Sequence, residues 1–150
     1  MKIQFSIVAF AATLGLAGAA TAEPYVDYTP QKGVWHVTTV KVDPSHIDDY
    51  VTGLRKSWAP GEEIAKRHGL IDSYRIMVKL NSSDGQGNVQ MIEHYPSIAA
   101  LDADQARDQA LRNEFLAALP KTQGEAMVAG FDKYRTFVGD DYWTEMTFAK

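Results

Sequence analysis

The chain contains no cysteine. Disulfides, a lipid-anchoring thiol and thiolate metal sites are therefore excluded together. Beyond residue 22 no apolar run is long enough to cross a membrane. Lysine and arginine occur singly or in pairs such as Arg55-Lys56 and Lys66-Arg67, with no basic stripe, which argues against nucleic acid as a partner. There is no Gly-x-Gly-x-x-Gly and no phosphate loop, and Gly85-Gln86-Gly87 reads as a turn. The four histidines are scattered, with no His-x-x-x-His spacing, so no metal and no cofactor is expected. No Ser-His-Asp arrangement can be read from spacing.

What is present begins with an export signature. Lys2 supplies the positive start, residues 3–20 are apolar apart from Gln4, Ser6 and Thr13, and Ala20-Thr21-Ala22 is a small-x-small cleavage site. Residues 1–22 are predicted to be a cleaved signal peptide, which makes the mature protein periplasmic or secreted and leaves it no membrane attachment. The net charge of −4 includes Lys2, so cleavage makes the chain slightly more acidic. Residues 23–32, with Pro24, Pro30, Tyr25 and Tyr28, read as an extended lead-in. Residues 33–150 are enough for one domain with its own core.

Within that domain the hydrophobic period alternates between that of strands and that of helices. Residues 33–42 are β-branched and form a first strand, with Val34, His36, Thr38, Val40 and Val42 on the expected core face. Asp43-Pro44-Ser45 opens a helix whose stripe is Ile47, Tyr50, Val51, Leu54 and Trp58. Pro60-Gly61 kinks or breaks it, and a short second helix ends before Gly69. Residues 70–80 are a second strand, with Tyr74, Ile76, Val78 and Leu80 on one face. Residues 81–88 are a polar turn, and 89–95 a third strand. Ser97 is an N-cap candidate for a helix to Leu119 that is irregular near residues 102–104. Met127, Phe131, Tyr134 and Val138 favour a further helix over 123–138, with the last strand at 142–148; the competing reading puts that strand at 131–138.

The order strand, helix, strand, strand, helix, strand is the ferredoxin-like split βαβ plan, an α+β fold with a four-stranded antiparallel sheet. Helices on one side leave the other sheet face uncovered, and pairing with a second copy would cover it. At the end of the third strand, Glu93-x-Tyr95-x-Ser97-x-x-x-Leu101 resembles the Glu-x-Trp-x-Ser pattern of the dimeric α/β-barrel superfamily, of the antibiotic-biosynthesis-monooxygenase type. The resemblance covers roughly residues 33–148 through the order of elements. It implies a homodimer with a ligand cleft between helices and sheet. Members that degrade haem tend to carry Trp where this chain has Tyr95, and a histidine where it has Asp102 and Asp104. Haem degradation is therefore not the expectation, and fold alone does not choose among the superfamily's other chemistries.

Candidate chemistry lies on the strands. His36, set among valines, would stay neutral and serve as a base; a histidine merely hydrogen-bonded to a neighbour is the plainer alternative. His94 is expected to share its face and to meet Tyr74, giving two imidazoles and a phenol for proton transfer on an aromatic or enolisable substrate. Strand parity puts Glu93 and Tyr95 on the face opposite His94, with Arg75 or Lys41 as ion-pair candidates for Glu93. Trp35, Trp58, Tyr50 and Tyr95 are the candidate substrate-contacting side chains, although aromatic residues at such spacing are more often core. His46 and His68 sit at helix ends, where a cation suits the dipole. Two readings follow: a cofactor-independent enzyme of oxygenase, isomerase or lyase type acting on a small aromatic or hydrophobic molecule, and a non-catalytic dimeric binding or accessory protein for an apolar ligand.

Overall fold

The structure, a computed structural model, describes residues 21–81 and 86–150. The expected signal peptide, apart from its last two residues, and the tip of the 81–88 turn lie outside the described residues. Strand β1 (Tyr28–Val42) leads through a 3-10 turn (Pro44–His46) into helices α1 (Ile47–Ser57) and α2 (Ala59–Arg67). Strands β2 (Ser73–Val78) and β3 (Val89–Tyr95) form a hairpin. A second 3-10 turn (Ile98–Leu101), helices α3 (Gln105–Ala118) and α4 (Lys121–Phe131) and strand β4 (Arg135–Phe148) complete the chain.

All strand pairs are antiparallel and the sheet order is β2-β3-β1-β4. Placing the first and third strands in the centre with the second and fourth at the edges is the ferredoxin-like arrangement. The expected even face of β1 is the core face: Val34, Val40 and Val42 are buried, and Val40 and Val42 pack with Val89 and Met91 of β3, Tyr50 and Leu54 of α1 and Phe131 of α4. Each fully buried aliphatic side chain contributes about 1.5–3 kcal/mol by leaving water. Tyr50, wholly buried, meets the Phe131 ring edge-on at 5.1 Å and accepts a hydrogen bond from Arg135 at 3.3 Å.

Local chemistry explains the boundaries. Asp43 caps the first helical turn by accepting from the Ser45 N–H at 2.9 Å. The chain kinks at Trp58, and Pro60 in the first turn of α2 sacrifices no helical hydrogen bond. Ser97 makes no cap contact; Asp104 caps α3 by accepting from the Arg107 N–H at 3.0 Å. Arg107 then donates to the carbonyls of Ala100 and Asp102, so the irregular stretch is pinned by one guanidinium.

The C-terminal region departs from both readings of the periodicity. Helix α4 stops at Phe131, and β4 runs through 135–148, spanning half of one proposed strand and all of the other. Gly139-Asp140-Asp141 does not break this strand. Thr39 pairs with Gly139 and Val40 with Phe137, so Val138 is the extra residue of a β-bulge. The strand survives because its partner is equally long: β1 begins at Tyr28, inside the expected lead-in, and Tyr28 pairs with Phe148.

The sheet face away from the helices is open. Trp35, Val37, Thr39, Arg75, Gln90, Ile92, Asp141 and Trp143 surround a depression of about 340 Å³ there, and Trp143 is 60% exposed. Among the described residues no helix is long and apolar enough to cross a membrane.

Candidate functional site

Residues directly opposite each other in an antiparallel pair share a face. The register sets Tyr74 opposite Glu93, Glu93 opposite His36, and His36 opposite Tyr142. These four side chains therefore form one row across the whole sheet, on the helix-covered face.

At its centre the His36 ring is held from both sides. Nδ1 lies 2.8 Å from Glu93 Oε2 and Nε2 lies 2.7 Å from Asp140 Oδ1. A carboxylate can only accept, so both ring nitrogens donate and the ring is an imidazolium. Burial alone would lower the His36 pKa, but the hydrogen bonds and charges of Glu93 and Asp140 outweigh it and raise the value. Tyr142 stacks on the ring at 4.6 Å, 15° from parallel. Glu93 also accepts from the Tyr95 hydroxyl at 3.2 Å, and burial followed by the Glu93 charge raises the Tyr95 pKa.

Helix α2 closes the site from above. Its first turn carries Glu62, a largely covered carboxyl with no hydrogen-bond or ion-pair partner among the described residues. Burial, and then the charge of Glu93, push the Glu62 pKa up to about 8. Next to it Glu63 accepts from the Tyr74 hydroxyl at 2.6 Å, which with burial and the two glutamates raises Tyr74 to about 12. Trp58, at the helix kink, meets the Tyr74 ring edge-on at 5.4 Å.

This arrangement revises the expected site. His36 and Tyr74 do share the helix-covered face, but His94 does not join them. Position 36 pairs with 93, so even positions of β1 share a face with odd positions of β3, and Glu93 and Tyr95 are the neighbours of His36. His94 lies on the open face, tilted against Trp35 at 4.4 Å with Nδ1 3.1 Å from Asp72. His36 is not the neutral base expected from its valine neighbours, because two carboxylates flank it. Glu93 pairs with His36, not with Arg75 or Lys41; Arg75 instead lies 4.5 Å above the Trp35 ring. Of the candidate substrate contacts, Trp58 and Tyr95 border the site, Trp35 is on the opposite face, and Tyr50 is core with no surface to offer a ligand. His46 stacks on Tyr134 and His68 pairs with Glu114, both consistent with helix-end roles.

No family model matches the chain, and no curated protein matches it. Solved structures with a similar fold include a dimeric ferredoxin-like protein of unknown function from Bacteroides fragilis, with 11% identity over 81% of this chain and 100% of that one and a TM-score of 0.41. A NipSnap family protein of unknown function from Agrobacterium tumefaciens gives 14% identity, 82% and 95% coverage and a TM-score of 0.40. A protein named as a candidate antibiotic biosynthesis monooxygenase from Caulobacter crescentus gives 18% identity, 80% and 92% coverage and a TM-score of 0.35. The ferredoxin-like assignment rests on this chain's own strand order.

Chemically, two of the site's carboxyl groups stand in unequal settings. Glu93 is met by an imidazolium and a phenol, both donors; Glu62 is met by neither and is covered. Among the described residues no group of three or more His, Asp or Glu side chains could hold a metal ion. Sequence reading passed over Glu62 because Glu62-Glu63 after Pro60-Gly61 is ordinary helix-start chemistry.

Proposed function

We propose that this chain is an exported homodimeric enzyme that carries out cofactor-independent acid–base chemistry on a small aromatic or hydrophobic molecule, with Glu62 as proton donor and Glu93 as proton acceptor. The observation that carries this reading is the unpartnered, covered Glu62 carboxyl beside a Glu93 that is already hydrogen-bonded by His36 and Tyr95. Trp58, Tyr74 and Tyr95 supply an aromatic border for an apolar ligand. Export is supported by the pattern of residues 1–22. The second copy would lie on the open sheet face, where Trp35, Val37, Met77 and Trp143 leave apolar surface unpaired.

One observation favours the alternative of a non-catalytic binding protein: both His36 nitrogens are engaged, so the imidazole offers no lone pair to a ligand. The two readings separate on one substitution. A panel of uncharged aromatic compounds is screened by thermal shift, and each binder is then followed by mass spectrometry for conversion. Under the enzyme reading Glu62→Gln, which keeps shape but not acidity, abolishes conversion while leaving the thermal shift in place. Binders that stay unconverted by the wild type favour the alternative. Sizing that finds a monomer at all concentrations removes the dimer, and retention of the chain in the cytoplasmic fraction removes export.

A further inference from the structure

The row of polar groups across the helix-covered face extends one strand further than the reaction needs. Asp140 lies on β4, an edge strand, and 68% of its side chain is exposed, against 16% for His36 and 12% for Glu93. Its carboxylate is nevertheless tightly placed. Oδ1 accepts from His36 Nε2 at 2.7 Å and from the Thr38 hydroxyl at 2.9 Å. Thr38 is directly opposite Asp140 in the ladder, and Tyr142, two residues on, is opposite His36 and stacked on its ring. The bulge at Val138 sets this register. Without the extra residue, every β4 side chain beyond it would turn to the other face, and Asp140 and Tyr142 would leave the row.

We propose that Asp140 is a positioning residue for the Glu62/Glu93 pair: it fixes the His36 ring with Nδ1 toward Glu93 and so keeps the ring's charge against that carboxyl. This rests on the acid–base reading of the site. Every group near the ring fits the role. From β3, Glu93 accepts from Nδ1 and is itself met by Tyr95; from β4, Asp140 takes Nε2 while Tyr142 fixes the ring plane; from β1, Thr38 anchors Asp140. From β2 and α2, Tyr74, Glu63 and Glu62 complete the surroundings, and none of them is a cation. Among the described groups that face the ring none is a second cation, and Asp140 holds the ring from the side away from Glu93. The pKa directions agree: against burial, the bonds to Glu93 and then Asp140 raise His36, and the bond to His36 lowers Asp140.

The test is an NMR pH titration of the full chain labelled with nitrogen-15 in histidine and carbon-13 in the glutamate carboxyls, comparing wild type with Asp140→Asn and Thr38→Val. In the wild type both His36 ring nitrogens should carry protons at neutral pH, and the ring should titrate above the ordinary histidine range. Asp140→Asn, at an exposed position, should keep the fold, move the His36 midpoint down, and move the Glu62 midpoint up, because the Glu93 charge beside Glu62 is then less compensated by a cation. Thr38→Val should shift each midpoint the way Asp140→Asn does, by less. An unchanged His36 midpoint in Asp140→Asn overturns the proposal, as does a His36 shift that leaves Glu62 where it was. A wild-type Glu62 that titrates in the ordinary carboxylate range refutes the acid–base reading itself, a separate result from either of these.

Discussion

Adding one methyl group at either of two helical glycines should change stability in opposite directions. Gly53 is in α1 and Gly130 in α4, and replacing glycine by alanine inside a helix gains about 1 kcal/mol from backbone entropy and propensity. At Gly130 a new Cβ would meet nothing within 4 Å, so Gly130→Ala should realise most of that gain. At Gly53 the new Cβ would stand 2.5 Å from Phe131 Cε1 and 2.6 Å from Cζ. Ordinary carbon contacts are about 3.5–4.0 Å, so the ring must retreat by about 1 Å. It is boxed in by the Tyr50 ring at 5.1 Å, the Tyr134 ring at 6.3 Å and the Arg135 guanidinium at 5.2 Å. Overpacking of this kind costs about 1–3 kcal/mol, and a ring packed against three neighbours belongs in the upper half of that range. Gly53→Ala should therefore be destabilised by about 1–2 kcal/mol overall. Because the propensity gain is common to both variants, their difference of about 2–3 kcal/mol isolates the clash. Urea unfolding at one fixed protein concentration measures it, since the stability of a dimer depends on concentration. A Gly53→Ala protein as stable as Gly130→Ala, with the same m-value, would refute the reasoning.

Stability should also fall as pH rises. Glu62 has a folded-state pKa of about 8 against an ordinary value of 4.5, so between those values the folded state binds more protons than the unfolded chain, and the slope is at most about 1.4 kcal/mol per pH unit. His36 acts in the same sense, its contribution being full below 6.5 and lost as pH climbs through its raised folded value. Glu62→Gln should flatten the pH profile and be more stable than wild type at pH 8, which denaturation at a series of pH values will show. On the open face, Gly33→Ala would drive a Cβ into the His94 ring, reaching Cε1 at 2.7 Å. The ring should leave Asp72 and Trp35, detectable as an altered Trp35 fluorescence with the helix-face titrations unchanged. Trp143→Glu should convert the proposed dimer to monomer in sedimentation, because it sets a charge in the middle of the apolar face.

Much of the architecture was legible without coordinates because it depends on local period and punctuation. The β-branched run of β1, the stripe of Tyr50 and Leu54, the break at Pro60 and the third strand at Val89–Tyr95 each follow from a few neighbouring residues. The order of those elements then leads to the ferredoxin-like plan and to a sheet with one uncovered face. The last third was less legible. Phe131 closes the helical stripe, but Tyr134 and Val138 continue its spacing by coincidence, and only the pairing of β4 with a β1 that begins at Tyr28 makes 135–148 one strand.

The candidate site shows where local information ends. Parity along β3 correctly separates Glu93 and Tyr95 from His94, since alternation is a property of one strand. Which of them joins His36 depends on register between two strands, and a shift of one residue exchanges the faces. Register is settled by the whole sheet packing its valines against α1 and α4, a sum over many contacts that no short stretch records. The same is true of Glu62, which is unremarkable in the sequence and acquires its raised pKa only when α2 lays it over Glu93. By itself the sequence determined the elements, their order and the face each strand side chain shares with its own neighbours. The tertiary structure decided which faces meet, and with them which acids, bases and cations lie within reach of one another, because hydrogen bonds and charges act through space over a few ångströms and take no account of distance along the chain.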